Sequence, residues 1–310
     1  MDSMPIADVR PKQLYAHLFF RDLDPGGFPL RVSVETTNRC NLRCPYCPRE
    51  ESGRGFGEMA EELYESLARQ CADRDIAFAP QGFGEPFLDP DFGARLRKAR
   101  RLGVRHLDVV TNATLLDQVN CLALIEAEVL LVTIDLDGAD KQVFERNRVN
   151  ACYEEIVANV QRLFRMRRAL GSRFPYVSLS AVGLPEVLPS MAAFRALWEP
   201  WLGPHDEIFA AQPVTWAGDR PMAGKRAATE VELATRPPCR HLYKTLQVYW
   251  DGRASPCTYD HACRLEVGNT ARQSIDEIWH GAPLSRLREL HEQHRSGEIA
   301  LCRGCPDHLA

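Results

Sequence analysis

The stretch Glu35-Thr-Thr-Asn-Arg-Cys-Asn-Leu-Arg-Cys-Pro-Tyr-Cys-Pro48 sets three cysteines, Cys40, Cys44 and Cys47, within eight residues at the end of a strand-like run. A [4Fe–4S] cluster takes four thiolates. Three from one loop leave one iron open to a small chelating molecule, whereas a structural zinc site closes all four positions. The other readings are a zinc loop or three unrelated buried cysteines. A zinc motif more often comes as separated CxxC pairs.

This loop resembles the Cx3CxxC loop of the radical S-adenosylmethionine (SAM) superfamily, in which the amino and carboxylate groups of SAM take the open iron. Further segments carry the same resemblance. Gly82-Phe83-Gly84-Glu85-Pro86 is similar to the family's GGEP segment, with Phe83 replacing the second glycine. In the family this backbone bonds the SAM ammonium, and glycines let carbonyls approach a ligand closely. Thr111-Asn112 resembles the segment that contacts the ribose. Asp135-Leu136-Asp137-Gly138, followed by Phe144 and Arg148, resembles the segment after the fourth strand. Tyr46 occupies the aromatic position that the family sets against the adenine. The resemblance thus implies a SAM site of Tyr46, Gly82, Phe83, Gly84, Glu85, Thr111, Asn112, Asp135 and Arg148, and an external electron donor of flavodoxin or ferredoxin type. Packing or capping is the other role open to each residue.

The chain has 310 residues, 45% of them hydrophobic, enough for one large α/β domain and a small appendage. Its 38 Lys plus Arg against 42 Asp plus Glu give a net charge of -4, no footprint for a nucleic-acid backbone. A cationic substrate fits at least as well. Eleven cysteines without a secretory segment or a long apolar run point to a reducing cytoplasm, with no membrane partner, where clustered thiols mean metal rather than disulfides.

Strand and helix patterns alternate along the chain. Residues 1–29 hold an aromatic stretch, Leu14 to Phe20, ending at Asp24-Pro-Gly-Gly27, and are expected to cover one end of the core. Strands are expected at Leu30 to Thr36, Ile76 to Pro80, Leu107 to Thr111, Val129 to Ile134, Tyr176 to Val182 and Glu207 to Pro213. Helical faces run through Leu63, Leu67 and Cys71, through Phe92, Leu96 and Ala99, through Leu115, Val119 and Leu122, and over Tyr153 to Leu170 and Met191 to Trp198. Such alternation implies an α/β fold, a parallel sheet curled into a partial (β/α)6 barrel over 30–234, with its chemistry in the loops after the strand ends. After Arg236-Pro-Pro238 comes a hairpin, Thr245 to Tyr249 turning at Asp251-Gly252, then helices near Ile275 to Trp279 and Leu284 to Glu292, read as a second domain over 235–310.

Cys239 and Cys257 are separated by 17 intervening residues, Cys257 and Cys302 by 44, and Cys302 and Cys305 form a CxxC. Four thiolates complete a cluster, and a zinc ribbon would use the same ligands. With the hairpin Leu246 to Gly252 and the run Gly268-Asn269 to Trp279, the spacing resembles the auxiliary-cluster domain called twitch, a truncated SPASM domain. The resemblance implies a second [4Fe–4S] cluster, fully ligated and therefore limited to electron transfer or structural support.

Four cysteines remain. Cys71, Cys121 and Cys152 read as small core residues. Cys263 stands six residues past Cys257 in a polar loop expected at the barrel mouth, where it is a spare structural cysteine, an alternative ligand or a hydrogen-atom donor to a substrate radical. Donation would make the enzyme an epimerase. By resemblance the substrate is an aminoglycoside or amino sugar, whose ammonium groups could pair with Glu85, Asp135, Asp137, Asp219 or Asp260, with His261 a further substrate candidate. An alcohol dehydrogenase of the same substrates is the alternative, ahead of peptide modification and of a non-catalytic metal-bound protein.

Overall fold

The structure is a computed structural model that describes residues 27–222 and 225–307. The aromatic stretch expected to cover the core lies outside these residues. Six parallel strands follow one another: β1 (Arg31–Val34), β2 (Ala77–Ala79), β3 (Asp108–Thr111), β4 (Leu131–Asp135), β5 (Tyr176–Val182) and β6 (Glu207–Ala211). β1 pairs with β2, β3 with β4, β4 with β5 and β5 with β6, while a parallel bridge from Phe78 to Leu107 joins β2 to the β3 side. The expected open barrel is therefore present, and it does not stop at six strands. β7 (Thr245–Val248) adds in parallel to the free edge of β1, then β8 (Arg253–Ser255) and β9 (Gly268–Asn269) continue antiparallel. One sheet thus carries both cysteine-rich segments.

The helices fold by the periodicity that predicts them. Glu61–Asp73 buries Tyr64, Leu67, Ala68 and Cys71 at helical spacing, and Tyr153–Ala169 buries Ile156, Val160, Leu163 and Phe164. Each fully buried leucine or phenylalanine contributes on the order of 2 kcal/mol. Asp117 and Asp140 cap their helices by accepting from Asn120 N at 2.8 Å and Val143 N at 3.0 Å. Two expectations fail. Val119 is 70% exposed, because the helix starts only at Gln118 and turns Cys121, Leu124 and Ile125 inward instead. Cys152 is no core residue: it precedes its helix half-buried, its Sγ 3.6 Å from Glu154 Oε2, whereas Cys71 and Cys121 are fully buried.

Candidate active site

The loop from Glu35 to Pro48 leaves β1 at the end of the sheet where a barrel collects its chemistry. Asn38 clamps it, donating to Gly55 O and accepting from Gly57 N, both at 2.9 Å. Leu42 N lies 3.5 Å from Cys40 Sγ, Asn112 Nδ2 3.8 Å from the same sulfur, and Arg148 Nη1 3.9 Å from Cys44 Sγ. Burial pushes all three thiols up, Cys40 to about 11, so the thiolate form needs the charge of a bound metal. In the second domain, Cys239, Cys257, Cys302 and Cys305 line one cavity together with His241 and Tyr259. Among the described residues, no three of these seven sulfurs lie within 4.8 Å of one another. Tetrahedral zinc, with Zn–S of about 2.3 Å, would hold its sulfurs about 3.8 Å apart.

The Gly82 to Pro86 turn is built against that first loop. Phe83 N donates to Glu35 Oε2 at 3.1 Å and Glu85 N to Arg39 O at 2.8 Å. Glu85 is buried, and its carboxylate accepts from Thr111 Oγ1 at 2.8 Å, Asn112 N at 2.8 Å and Phe87 N at 3.3 Å. Burial pushes its pKa up to about 7, with the three donors countering. Glu85 therefore stitches the turn to the end of β3, and it has no oxygen turned to a substrate ammonium. A Cβ on Gly84 would meet Thr37 O at 2.3 Å and Arg39 O at 2.7 Å. Gly84→Val must displace the cysteine loop, an overpacking cost of about 1–3 kcal/mol. We expect SAM affinity, measured by equilibrium dialysis, to fall roughly tenfold or more. Unchanged affinity would remove Gly84 from the site.

Asp137 is the hub of the fourth strand end. It is fully buried, accepting from Tyr46 Oη at 2.7 Å, Arg148 Nε at 2.9 Å, Val182 N at 2.9 Å and Arg148 Nη2 at 3.4 Å. Its four acceptor positions are filled. Asp137 thus orients Tyr46 and Arg148 rather than offering itself to substrate. Arg148 also stacks 5.4 Å from the Tyr46 ring and lies 3.7 Å from Asp135, which is partly exposed.

The loop of Cys263 closes the site from the other domain. Asp260 is buried and holds the loop internally, accepting from Arg264 N at 2.9 Å, Leu265 N at 2.7 Å and Ser255 Oγ at 3.1 Å. Asp219 reaches His261 Nε2 at 2.8 Å and pairs with Arg264. Burial raises the Asp219 pKa, and the hydrogen bonds from Arg264 and His261 more than offset this, holding it below the usual range. Cys263 is 6% exposed and clusters with Phe83 and Tyr249, so the structure brings it to the SAM-turn side of the second domain. Sequence reading misses the pair that makes this contact. Arg54, its side chain 3% exposed, binds the fully buried Glu35 twice, at 2.6 and 2.9 Å, and donates to His261 O at 2.8 Å while lying 4.5 Å from the Tyr249 ring. An arginine in a Gly-rich stretch 19 residues from its carboxylate carries no local signal.

Residues 34–189 match the Radical SAM superfamily, and residues 239–306 match SPASM, an iron–sulfur cluster-binding domain. The chain is similar to PqqA peptide cyclase of Rhodopseudomonas palustris, 30% identical over 39% of this chain and 32% of that protein. It therefore spans about a third of that relative. The same enzyme from Xanthomonas campestris aligns at 25% identity over 90% of this chain and 79% of its own. Among solved structures, BtrN in complex with AdoMet and 2-DOIA superposes with a TM-score of 0.61 at 18% identity, covering 90% of this chain and 93% of that one. SuiB of Streptococcus suis bound to precursor peptide SuiA gives 0.68 at 14% identity, covering 95% and 74%. At these identities the structures attest the shared fold. The superfamily match brings a [4Fe–4S] cluster and SAM, and the SPASM match an auxiliary iron–sulfur cluster. Three half-buried cysteines on the β1 loop, four more around one cavity and a match over half the chain lead to one conclusion: the chain belongs to the radical SAM superfamily and carries a C-terminal SPASM domain.

Proposed function

We propose that the chain is an epimerase that inverts a C–H stereocentre of an aminoglycoside or amino sugar, with Cys263 returning the hydrogen. The observation that carries this reading is the place of Cys263, in one buried cluster with Tyr249 and with Phe83 of the Gly82 to Pro86 turn, and outside the four-cysteine cavity. Burial pushes its pKa up to about 12, with Arg253 opposing, so at neutral pH the group is S–H. A hydrogen donor needs the intact S–H bond, which is weaker than C–H and yields its hydrogen to a carbon radical downhill. The residue also sits at φ 58°, an uncommon region for a side chain, and Asp260 O holds its N–H at 3.3 Å.

Bound at Cys40, Cys44 and Cys47, the cluster and SAM would supply a 5′-deoxyadenosyl radical able to take hydrogen from a ring carbon of the sugar. Tyr46, held by Asp137, and the backbone of Gly82 to Glu85 would orient SAM, with Thr111 and Asn112 on the ribose side. Cys263 gives its hydrogen to the opposite face. One electron and one proton then restore the thiol, the second cluster being the reductant class this fold holds nearby. In this reading the partly exposed carboxylates of Asp135, beside Arg148, and Asp219, beside His261 and Arg264, meet ammonium groups of the sugar. The reducing cytoplasm and a flavodoxin- or ferredoxin-like donor belong to the same proposal; among the described residues no helix is long and apolar enough to cross a membrane.

The alignment with PqqA peptide cyclase over 90% of the chain favours a second reading, modification of a peptide. An alcohol dehydrogenase, the third, would release a ketone two mass units lighter than its substrate. Turnover of candidate sugars in deuterated water separates all three, since only thiol donation from an exchangeable S–H gives an unchanged skeleton carrying one solvent deuterium.

A further inference from the structure

The turn after β6 is strained in a way its own sequence does not require. Trp216, Ala217 and Gly218 follow one another at φ 54°, 61° and 101°. Two consecutive side chains in the left-handed region, one of them an indole, persist only where the surroundings over-determine them. Here the surroundings are one carboxylate. Asp307, 0% exposed, accepts from Thr215 Oγ1 at 2.6 Å, Thr215 N at 2.8 Å and Ala217 N at 3.3 Å, and from Lys225 Nζ at 2.7 Å. It stands two residues past Cys305.

The turn so held reaches four parts of the site. Trp216 Nε1 donates to Tyr46 O at 2.7 Å, between Cys44 and Cys47. The indole lies 5.6 Å from Phe83 and meets Tyr259, on the wall of the four-cysteine cavity, edge-on at 6.1 Å. It packs against the cluster of Phe83, Tyr249 and Cys263, and Asp219 at the end of the turn fixes His261.

We propose that Trp216, held by Asp307, is a positioning residue that registers the Cys263 thiol against the SAM turn, so that radical formation and hydrogen return occur on one substrate. The proposal rests on the reading of Cys263 as donor. It deepens that reading by making the loop of the auxiliary cluster a determinant of coupling. Removing the indole takes away the bond to Tyr46 O and the packing on Phe83 and Tyr259, and so loosens what lies between the two cysteine sets.

The test uses the full-length enzyme with both clusters reconstituted, as Trp216→Ala, Trp216→Phe and Asp307→Asn. Two quantities are read: modified substrate per 5′-deoxyadenosine, counting any product, and the rate at which iodoacetamide alkylates Cys263 in the oxidised enzyme without SAM. Trp216→Ala should cleave SAM while product per 5′-deoxyadenosine falls roughly tenfold or more and alkylation quickens by a similar factor. Asp307→Asn should move both in the same direction, and Trp216→Phe, which keeps a ring and loses the bond to Tyr46, should move them less. Either quantity staying at the wild-type value in Trp216→Ala overturns the proposal; should that variant fail to fold, Asp307→Asn decides by the same criterion. A lighter product would refute the donor reading alone, since coupling is counted whatever the product.

Discussion

With Cys40, Cys44 and Cys47 all replaced by Ala, iron should fall from about eight to about four atoms per chain, and 5′-deoxyadenosine formation should disappear. The size of the effect follows from the separation of the two cysteine sets. The first three sit on the β1 loop and the other four around a separate cavity, so losing one set leaves the other complete. Within the first loop the thiols are half-buried and their pKa values raised, which makes the metal itself the source of thiolate. Iron analysis with SAM cleavage under dithionite reads both halves of the expectation. Wild-type enzyme reconstituted without air that holds only four irons, with zinc in the remaining site, would contradict the assignment.

Cys263→Ala should keep both clusters and still cleave SAM, yet form at least a hundredfold less inverted product. Radical formation lies upstream of donation, and the thiol lies outside the four-cysteine cavity, so neither iron nor SAM cleavage depends on it. Truncating one buried sulfur costs on the order of 1 kcal/mol, a small share of a domain's 5–15 kcal/mol. Unfolding therefore does not mimic the result. Cys263→Ser keeps the shape and offers an O–H bond too strong to donate, so it should fail equally. Normal turnover of either variant would end the donor role, and loss of four irons would instead make Cys263 a ligand.

Much of this site is legible in order and spacing, because a cluster loop is local. Cys40, Cys44 and Cys47 lie within eight residues, and the turn at Gly82 follows its strand directly. The strands are legible because apolar β-branched runs have no competing helical period. What stays hidden is whatever depends on contact between distant segments. Asp219 reads as a partner for a substrate ammonium and His261 as a further substrate contact, and nothing in a separation of 42 residues shows that they bond each other. Asp137 reads as an exposed carboxylate at a strand end, although folding fills its oxygens with Tyr46, Arg148 and Val182. The addition of β7 to β1 is likewise unreadable, since the hairpin pattern specifies its partner β8 and leaves its other edge unspecified. Trp216 looks like any loop aromatic until Asp307, 91 positions on, is seen to hold its turn.

The most direct test of the donor reading is turnover of wild-type enzyme in deuterated water with an unlabelled aminoglycoside, followed by mass and NMR analysis of product and nucleoside. The donor reading requires Cys263 to exchange its thiol hydrogen with solvent before each turnover. The predicted result is a product one mass unit heavier with deuterium at a single inverted carbon, accompanied by 5′-deoxyadenosine that carries a hydrogen drawn from the substrate. A product two mass units lighter without solvent deuterium would contradict the account and identify an alcohol dehydrogenase.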